Sequence, residues 1–365
     1  MKRIVIGIIL SLVAGTALFA QNDLQPLAVV KLNKSETITL KQLRTRADAF
    51  QKQAGLTSIT PEQRKEILEA LIDEKLVVQA AQKEGLTITD SQVNARFLKI
   101  LSQYVGKPVT EAEFADIIKK NTGKGVDEYM ISQVGMNVAD FKANIKNQMI
   151  IEGYVLAKKK NEINALSPSG EEIRAFYEMN KKDFVWTDML KLYLVTVPNG
   201  KDKVAARATA TDMYNKYKKD PKMGETFKKS EENGKSYQAV DLLVEKSAQH
   251  ARQLGMSSKE LLAMFNKDIG FVSDLSVSSV DGKEQGFYFY AILKKYSAKQ
   301  LDLFDSAQPD SNITVYENVR EYLTAQMEAQ FKAEALQEII RTLDTPENVD
   351  RKKTGNALLE ILSSW

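Results

Sequence analysis

The hydrophobic pattern is clearest between residues 60 and 89, TPEQRKEILEALIDEKLVVQAAQKEGLTIT. Ile67, Leu68, Leu71, Ile72, Leu76, Val78 and Ala81 recur at helical spacing, so they line one broad apolar face while Glu, Lys and Gln fall elsewhere. Thr60 and Gln63 have the separation of a reciprocal capping box, and Pro61 at the first helical position gives up only an N–H that had no partner. Gly85 supplies the left-handed residue that ends the helix. Such a face cannot stand alone in water, so other helices must cover it.

The same reading extends along the chain. Ala28, Val30 and Leu32 alternate with polar residues as in a strand, followed by a turn at Asn33–Glu36. Thr39 with Gln42, Thr89 with Gln92, Thr110 with Glu113, Ser169 with Glu172 and Thr314 with Glu317 are further capping boxes, each opening a predicted helix. Phe141, Ile145, Met149, Ile150, Tyr154 and Val155 form one face of a helix that begins at Asn137. The pattern changes at Met189–Val197, a β-rich run, followed by a helix over Val204–Lys219. Residues 301–312 read as a polar linker. The helix opened by Thr314 keeps its period for about 30 residues and so reaches about 45 Å. From Thr345 onward the composition predicts a loose tail ending in an apolar turn.

Composition narrows the chemistry. Lys2 and Arg3 precede an apolar run that ends in small residues at Ala20, the pattern of an export signal cleaved after Ala20, and no later segment approaches membrane-spanning length. The 51 basic and 48 acidic residues nearly balance, which argues against nucleic acid as partner. With no Cys, disulfides, thiol nucleophiles and thiolate metal sites have no residues to build on, and the single His250 argues against a His-based zinc site or a Ser-His-Asp triad. Gly123 and Gly125 flank Lys124 at the wrong spacing for a phosphate loop. No cofactor, metal or nucleotide is called for.

The order of residues in LIDEKLVVQAAQKEGLTIT resembles the N-terminal domain of SurA-type periplasmic chaperones and the related PrsA foldases: a leucine-isoleucine pair, an acid, a long apolar helix, an alanine pair, Gly and a β-branched residue before Thr. The segments AVVKLNKSETIT, NVADFKANIKNQMIIEGYVLAKK and EEIRAFYEMNKKDFV are similar to later parts of that pattern. Between residues 185 and 298, MLKLYLVTV, LLAMFNKDIGFVS and GFYFYAILKKY resemble a parvulin-type prolyl isomerase. Parvulin sites carry two His on adjacent inner strands around an acid or Cys. Here those positions fall on or near Tyr193 and Tyr288, and the glycine-rich acidic segment becomes AVDLL with Asp241.

The resemblance implies an α+β chain: a mostly helical chaperone domain, discontinuous in sequence, with a degenerate parvulin-like α/β domain inserted. Its expected boundaries are a signal peptide at 1–20, the SurA-like domain at 21–184, the parvulin-like domain at 185–298, a linker and C-terminal helix at 299–345 that complete the chaperone domain, and a tail at 346–365. The implied function is an ATP-independent periplasmic chaperone for unfolded exported or outer-membrane proteins. Phe141, Met149, Tyr154, Met327 and Phe331 are candidates for an adaptable apolar client surface, set against their ordinary role as core. Two alternatives are an active peptidyl-prolyl isomerase using Tyr193, Asp241 and Tyr288, and an envelope adaptor with one dedicated partner. On every reading the partners are polypeptides. His250 is expected on a helix surface.

Overall fold

The computed structural model describes residues 23–254, 256–280 and 283–364. The expected export signal lies outside them. Strands β1 (Pro26–Val30) and β2 (Glu36–Thr39) form an antiparallel hairpin with Ala28 opposite Ile38. Six helices of the same unit follow: α1 (Leu40–Gln53), α2 (Pro61–Lys83), α3 (Asp90–Val105), α4 (Glu111–Thr122), α5 (Val126–Val134) and α6 (Val138–Lys158), with a short α7 (Lys160–Asn164). The side chains of Thr39, Thr60, Thr89 and Thr110 each accept the backbone N–H three residues on, and the Gln or Glu there reaches back to the cap. Local side-chain chemistry thus sets where four helices begin. At the other end of α2 the N–H groups of Gly85 and Leu86 bond back to Gln82 and Ala81, and Gly85 adopts φ 83°, a left-handed residue that a side chain would strain.

The α2 helix is the spine of this unit. Ile67, Leu68, Ile72 and Leu76 pack against β1, β2 and α1, whereas Val77, Ala80 and Ala81 pack against Ile150 and Tyr154 of α6. Val77 is fully buried and Val78 only half so, a shift from the expected face that arises because the second half of α2 is covered on two sides. Buried Gln79 accepts the backbone N–H of Asn33 at 3.0 Å and so fixes the β1–β2 turn. A second cluster joins Val93, Phe97 and Leu101 of α3 to Phe114 and Ile118 of α4 and Ile145 of α6.

The unit spanning Ser167–Ala325 opens with α8 (Gly170–Met179), boxed by Ser169 and Glu172. It continues through β3 (Val185–Trp186), β4 (Met189–Pro198), α9 (Lys203–Lys219), α10 (Met223–Lys229), β5 (Gln238–Glu245), α11 (Ala248–Gln253), α12 (Ser258–Phe265), β6 (Ser276–Val280), β7 (Lys283–Tyr296) and β8 (Lys299–Gln300). Four strands form one antiparallel sheet in the order β5-β4-β7-β6, and β3 pairs with β8. The segment after β8, expected as a linker, is packed instead. Leu301 is buried with Ile173, Tyr177 and Val319, its carbonyl accepts the Tyr177 hydroxyl at 2.8 Å, and the Trp186 indole donates to Ala307 O at 3.2 Å.

Helix α13 (Val315–Leu343), boxed by Thr314 and Glu317, contributes its first turns to that unit and, from Gln326, the remainder to the first. Ile340 joins Val77, Ala80 and Tyr154, with Leu336, Ile339 and Leu343 at the edge of the same cluster. The long helix therefore shares a buried face with α2. The remaining chain is not a loose tail. Strand β9 (Val349–Arg351) pairs with β1, which becomes the middle strand of three. Helix α14 (Gly355–Ser363) buries Leu358 and Leu362 beside Ile67 and Leu68, and the Arg351 guanidinium donates to Glu69 at 2.7 Å and Asp344 at 2.8 Å. The architecture is α+β: a mainly helical unit built from both ends of the chain, interrupted by a sheet-bearing one.

Candidate functional site

The four-stranded sheet has two covered faces, and strand parity decides which side chains meet. On one face Tyr193, Val195 and Val197 of β4 lie with Ala239 of β5, Phe287, Phe289 and Ala291 of β7, and Ala206, Ala210, Met213 and Tyr217 of α9. On the other, Leu190, Leu192, Val244 and Ile292 pack against Ala251 of α11 and Leu261 and Met264 of α12. Small residues on α9 let that helix sit close to the aromatic side chains of the sheet.

Tyr193 is 2 % exposed. Its ring stacks on Tyr217 with centroids 4.8 Å apart and 14° between planes, and Phe289 meets it edge-on. The Tyr193 hydroxyl is buried and has no hydrogen-bond partner among the described residues. Burial, reinforced by Tyr217, Tyr237 and Asp241, pushes this phenol well above its ordinary range, so it stays protonated and is no base. Asp241 stands directly across from Tyr193 on β5, but its carboxylate is held by Lys228, 3.1 Å from both oxygens, with Lys191 4.0 Å away. Lys191 in turn pairs with Asp310 at 2.7 Å, and the two ammonium groups of Lys191 and Lys294 hold that carboxyl far below the usual range.

Tyr288 is not in this group. The closing-strand residue opposite Tyr193 is Ala291, and Tyr288 lies an odd number of residues away, on the other face, between Thr196 and Ser276. Tyr193 and Asp241 are thus brought together, and Tyr288 is not. His250 belongs to neither face's centre. It sits in α11, where its Nδ1 accepts the Glu245 backbone N–H at 3.3 Å, with the Glu245 carboxylate 3.6 Å away. The expected helix position is found, and its role is to close the end of β5, a local pairing that sequence spacing alone does not reveal.

The five apolar candidates of the first unit also separate. Tyr154 is buried between α2 and α6 and donates its hydroxyl to Glu84 at 2.7 Å. Phe141 packs edge-on to Phe97 at 6.0 Å, and Met149 lines the same cluster. All three sit within packed side-chain clusters. Met327 and Phe331 are half-buried on α13 and belong to none of the main core clusters of the described residues. Two open depressions in this unit were not anticipated: one of about 500 Å³ beside Phe114, Val126 and Val138, and one of about 350 Å³ between α1 and α2, floored by Ile67, Ala70 and Leu71 and flanked by Phe50. Among the described residues no group of three or more His, Asp or Glu is placed to hold a metal ion, and no helix is long and apolar enough to cross a membrane.

Residues 1–125 match the SurA-like N-terminal domain family. The match takes in β1 to α4 and the two strands and spine helix whose residue order carried the resemblance. Foldase protein PrsA of Clostridium acetobutylicum is 23 % identical over 180 residues, 49 % of this chain and 49 % of that protein. The PrsA foldase of Clostridium perfringens is 26 % identical over 123 residues, 34 % of this chain and 31 % of that one. The chain thus spans about half the length, or less, of the curated relatives it matches. A solved SurA-like chaperone from Campylobacter jejuni is 16 % identical and superposes at a TM-score of 0.35 over 90 % of this chain and 99 % of that chain. The PrsA foldase of Lactococcus lactis, also 16 % identical, superposes at 0.30 over 92 % and 97 %. The SurA-like match rests on sequence, because superpositions at these scores establish no shared arrangement.

Proposed function

We propose that this protein is an ATP-independent chaperone of the cell envelope that holds unfolded exported polypeptides, and that its sheet unit is a parvulin-like fold kept without the isomerase chemistry. The SurA-like match and the PrsA relatives support the folding role. One observation carries the choice between holding and isomerising: Tyr193 is locked in an aromatic stack with Ala291 across from it, so the position that would need a polar pocket is apolar core. Twisting an imide through a barrier of about 18–20 kcal/mol requires polar groups aimed at it, and Asp241, the acid directly across from Tyr193, is already paired with Lys228.

In this reading the segment 1–20 exports the chain to the periplasm, with cleavage after Ala20, and clients meet half-buried apolar side chains such as Met327 and Phe331 and the α1–α2 depression. The test is a pair of assays on the mature chain. A reduced, denatured secreted protein is expected to stay soluble at equimolar chaperone without nucleotide, and an Ala-X-Pro-Phe tetrapeptide is expected to exchange at the uncatalysed rate. Aggregation that proceeds unchanged would overturn the chaperone reading. Accelerated exchange that Tyr193→Phe abolishes would restore an enzyme.

A further inference from the structure

The outer edge of β5 presents a short, defined ladder of unpaired backbone groups. In the β4–β5 ladder Lys246 N–H donates to Asp188 O, which places the even-numbered residues of β5 in the inward hydrogen-bonding set. The odd-numbered residues therefore point their N–H and C=O groups away from the sheet. Two of them, Ala239 and Glu245, are closed by groups of the same chain. Asn233 accepts the Ala239 N–H at 2.9 Å and donates to the Ala239 carbonyl at 3.1 Å. His250 accepts the Glu245 N–H, and the Ser247 N–H takes the Glu245 carbonyl at 2.8 Å. Between these stops the N–H and C=O of Asp241 and Leu243 have no partner among the described residues.

We infer that this gap is a strand-addition site for an extended segment of an unfolded polypeptide, a step that deepens the chaperone reading and rests on it. An antiparallel tripeptide would exchange both backbone bonds with Asp241 and with Leu243, four in all, and its flanks would have to peel away at Asn233 and His250. Its middle side chain would fall on the face of Leu242, in the apolar cluster that includes Leu254 and Met256. The outer two would lie beside Leu243 and the Asp241–Lys228 pair. Because the Asp241 carboxylate is paired with Lys228, which Glu225 shares, and has Lys191 4.0 Å away, it does not set a bare charge against an incoming strand. The occupant follows from what is offered: peptide groups are common to every polypeptide, so an edge read through its backbone accepts clients of varied sequence, with a preference for one apolar residue at the centre.

Hydrogen exchange of the full mature chain tests this, with reduced, carboxymethylated α-lactalbumin as the permanently unfolded probe and its binding followed separately by fluorescence anisotropy. Without probe the amides of Asp241 and Leu243 are expected to exchange rapidly. At saturating probe both are expected to slow by about tenfold or more, while the already bonded Ala239 amide changes little. Leu243→Pro removes an outward N–H and leaves the inward ladder intact, so it is expected to keep the far-ultraviolet spectrum and to weaken probe binding by about fivefold. Bound probe with no slowing at either amide overturns the strand-addition site and leaves the chaperone reading standing. No binding at all overturns both. Slowing that is present without probe and grows with protein concentration means that a second copy of the chain takes the edge, which also overturns the proposal.

Discussion

Truncating Leu362 asks whether the last twenty residues are part of the first unit's core or an appendage to it. Leu362 is completely buried and Leu358 nearly so, in one cluster with Ile67 and Leu68 of the spine helix and Leu27 of β1. Replacing a buried Leu by Ala costs about 2–5 kcal/mol, the sum of lost transfer energy and the cavity left behind. Helix α14 is short, so it can partly collapse onto the gap. That places Leu362→Ala at about 2–3 kcal/mol. Against a total of about 5–15 kcal/mol for a typical domain the loss is large, and with a urea slope of about 1–3 kcal/mol per molar the midpoint should fall by about 1–2 M. The assay is urea unfolding in a Trp365→Phe background, where Trp186 is the only indole and reports on the sheet unit while circular dichroism follows the helices. The larger share of the helical transition, which comes from the first unit, should move and the Trp186 transition should not. A shift below about 0.5 kcal/mol, the level of a neutral surface change, would refute the claim that the C-terminal segment completes this core.

Two further perturbations are sharp enough to measure. Asp73 lies beside Glu69 and Asp344, and burial together with those carboxylates pushes it up to about 6, against the pull of Arg351. The folded state therefore binds this proton more tightly than the unfolded chain, and the contribution of Asp73 to stability falls as pH rises from about 4 to about 6, then levels off. The full shift is worth about 3 kcal/mol, but the group is half exposed and screening reduces it to about 1 kcal/mol. Asp73→Asn should remove that step, so the variant gains about 1 kcal/mol over the parent between pH 4.5 and pH 7.5 in paired urea titrations, and an unchanged difference would contradict the assignment. At Gly286 an added Cβ would sit 2.3 Å from Val197 O and 2.9 Å from Pro198 Cα, both backbone atoms of the paired strand. Gly286→Ala should thus destabilise the sheet unit by about 2–3 kcal/mol, read from Trp186 fluorescence, while the larger share of the helical signal, from the first unit, stays in place.

The features that could be read from the sequence are those whose cause is local. Thr60 with Gln63 and Ser169 with Glu172 announce helix starts because cap and partner are three residues apart, and the structure closes both boxes. The long apolar period of α13 likewise implied a large partner surface, found on α2 and α6. Features set by distant pairing were not legible. Strand β9 is three residues long and has no alternation to detect. Its reason to be extended is β1, far away in the chain. The placement of Tyr288 failed for a related reason: GFYFYAIL alternates aromatics on both faces, and only the register with β4 decides which set looks toward Tyr193. The packed segment after β8 looked like a linker because its polar residues outnumber the few, Leu301 and Leu303 among them, that anchor it.

The joining of β1 to β9 has a consequence for the order in which the molecule comes into being. A chain made from its amino end delivers β1, the spine helix and their apolar faces long before the strand and helix that cover them. The middle of the polypeptide, by contrast, carries its own closed set of contacts and is free to settle while the last residues are still being added. For that interval the early segment must keep its oily surfaces from wandering to other partners.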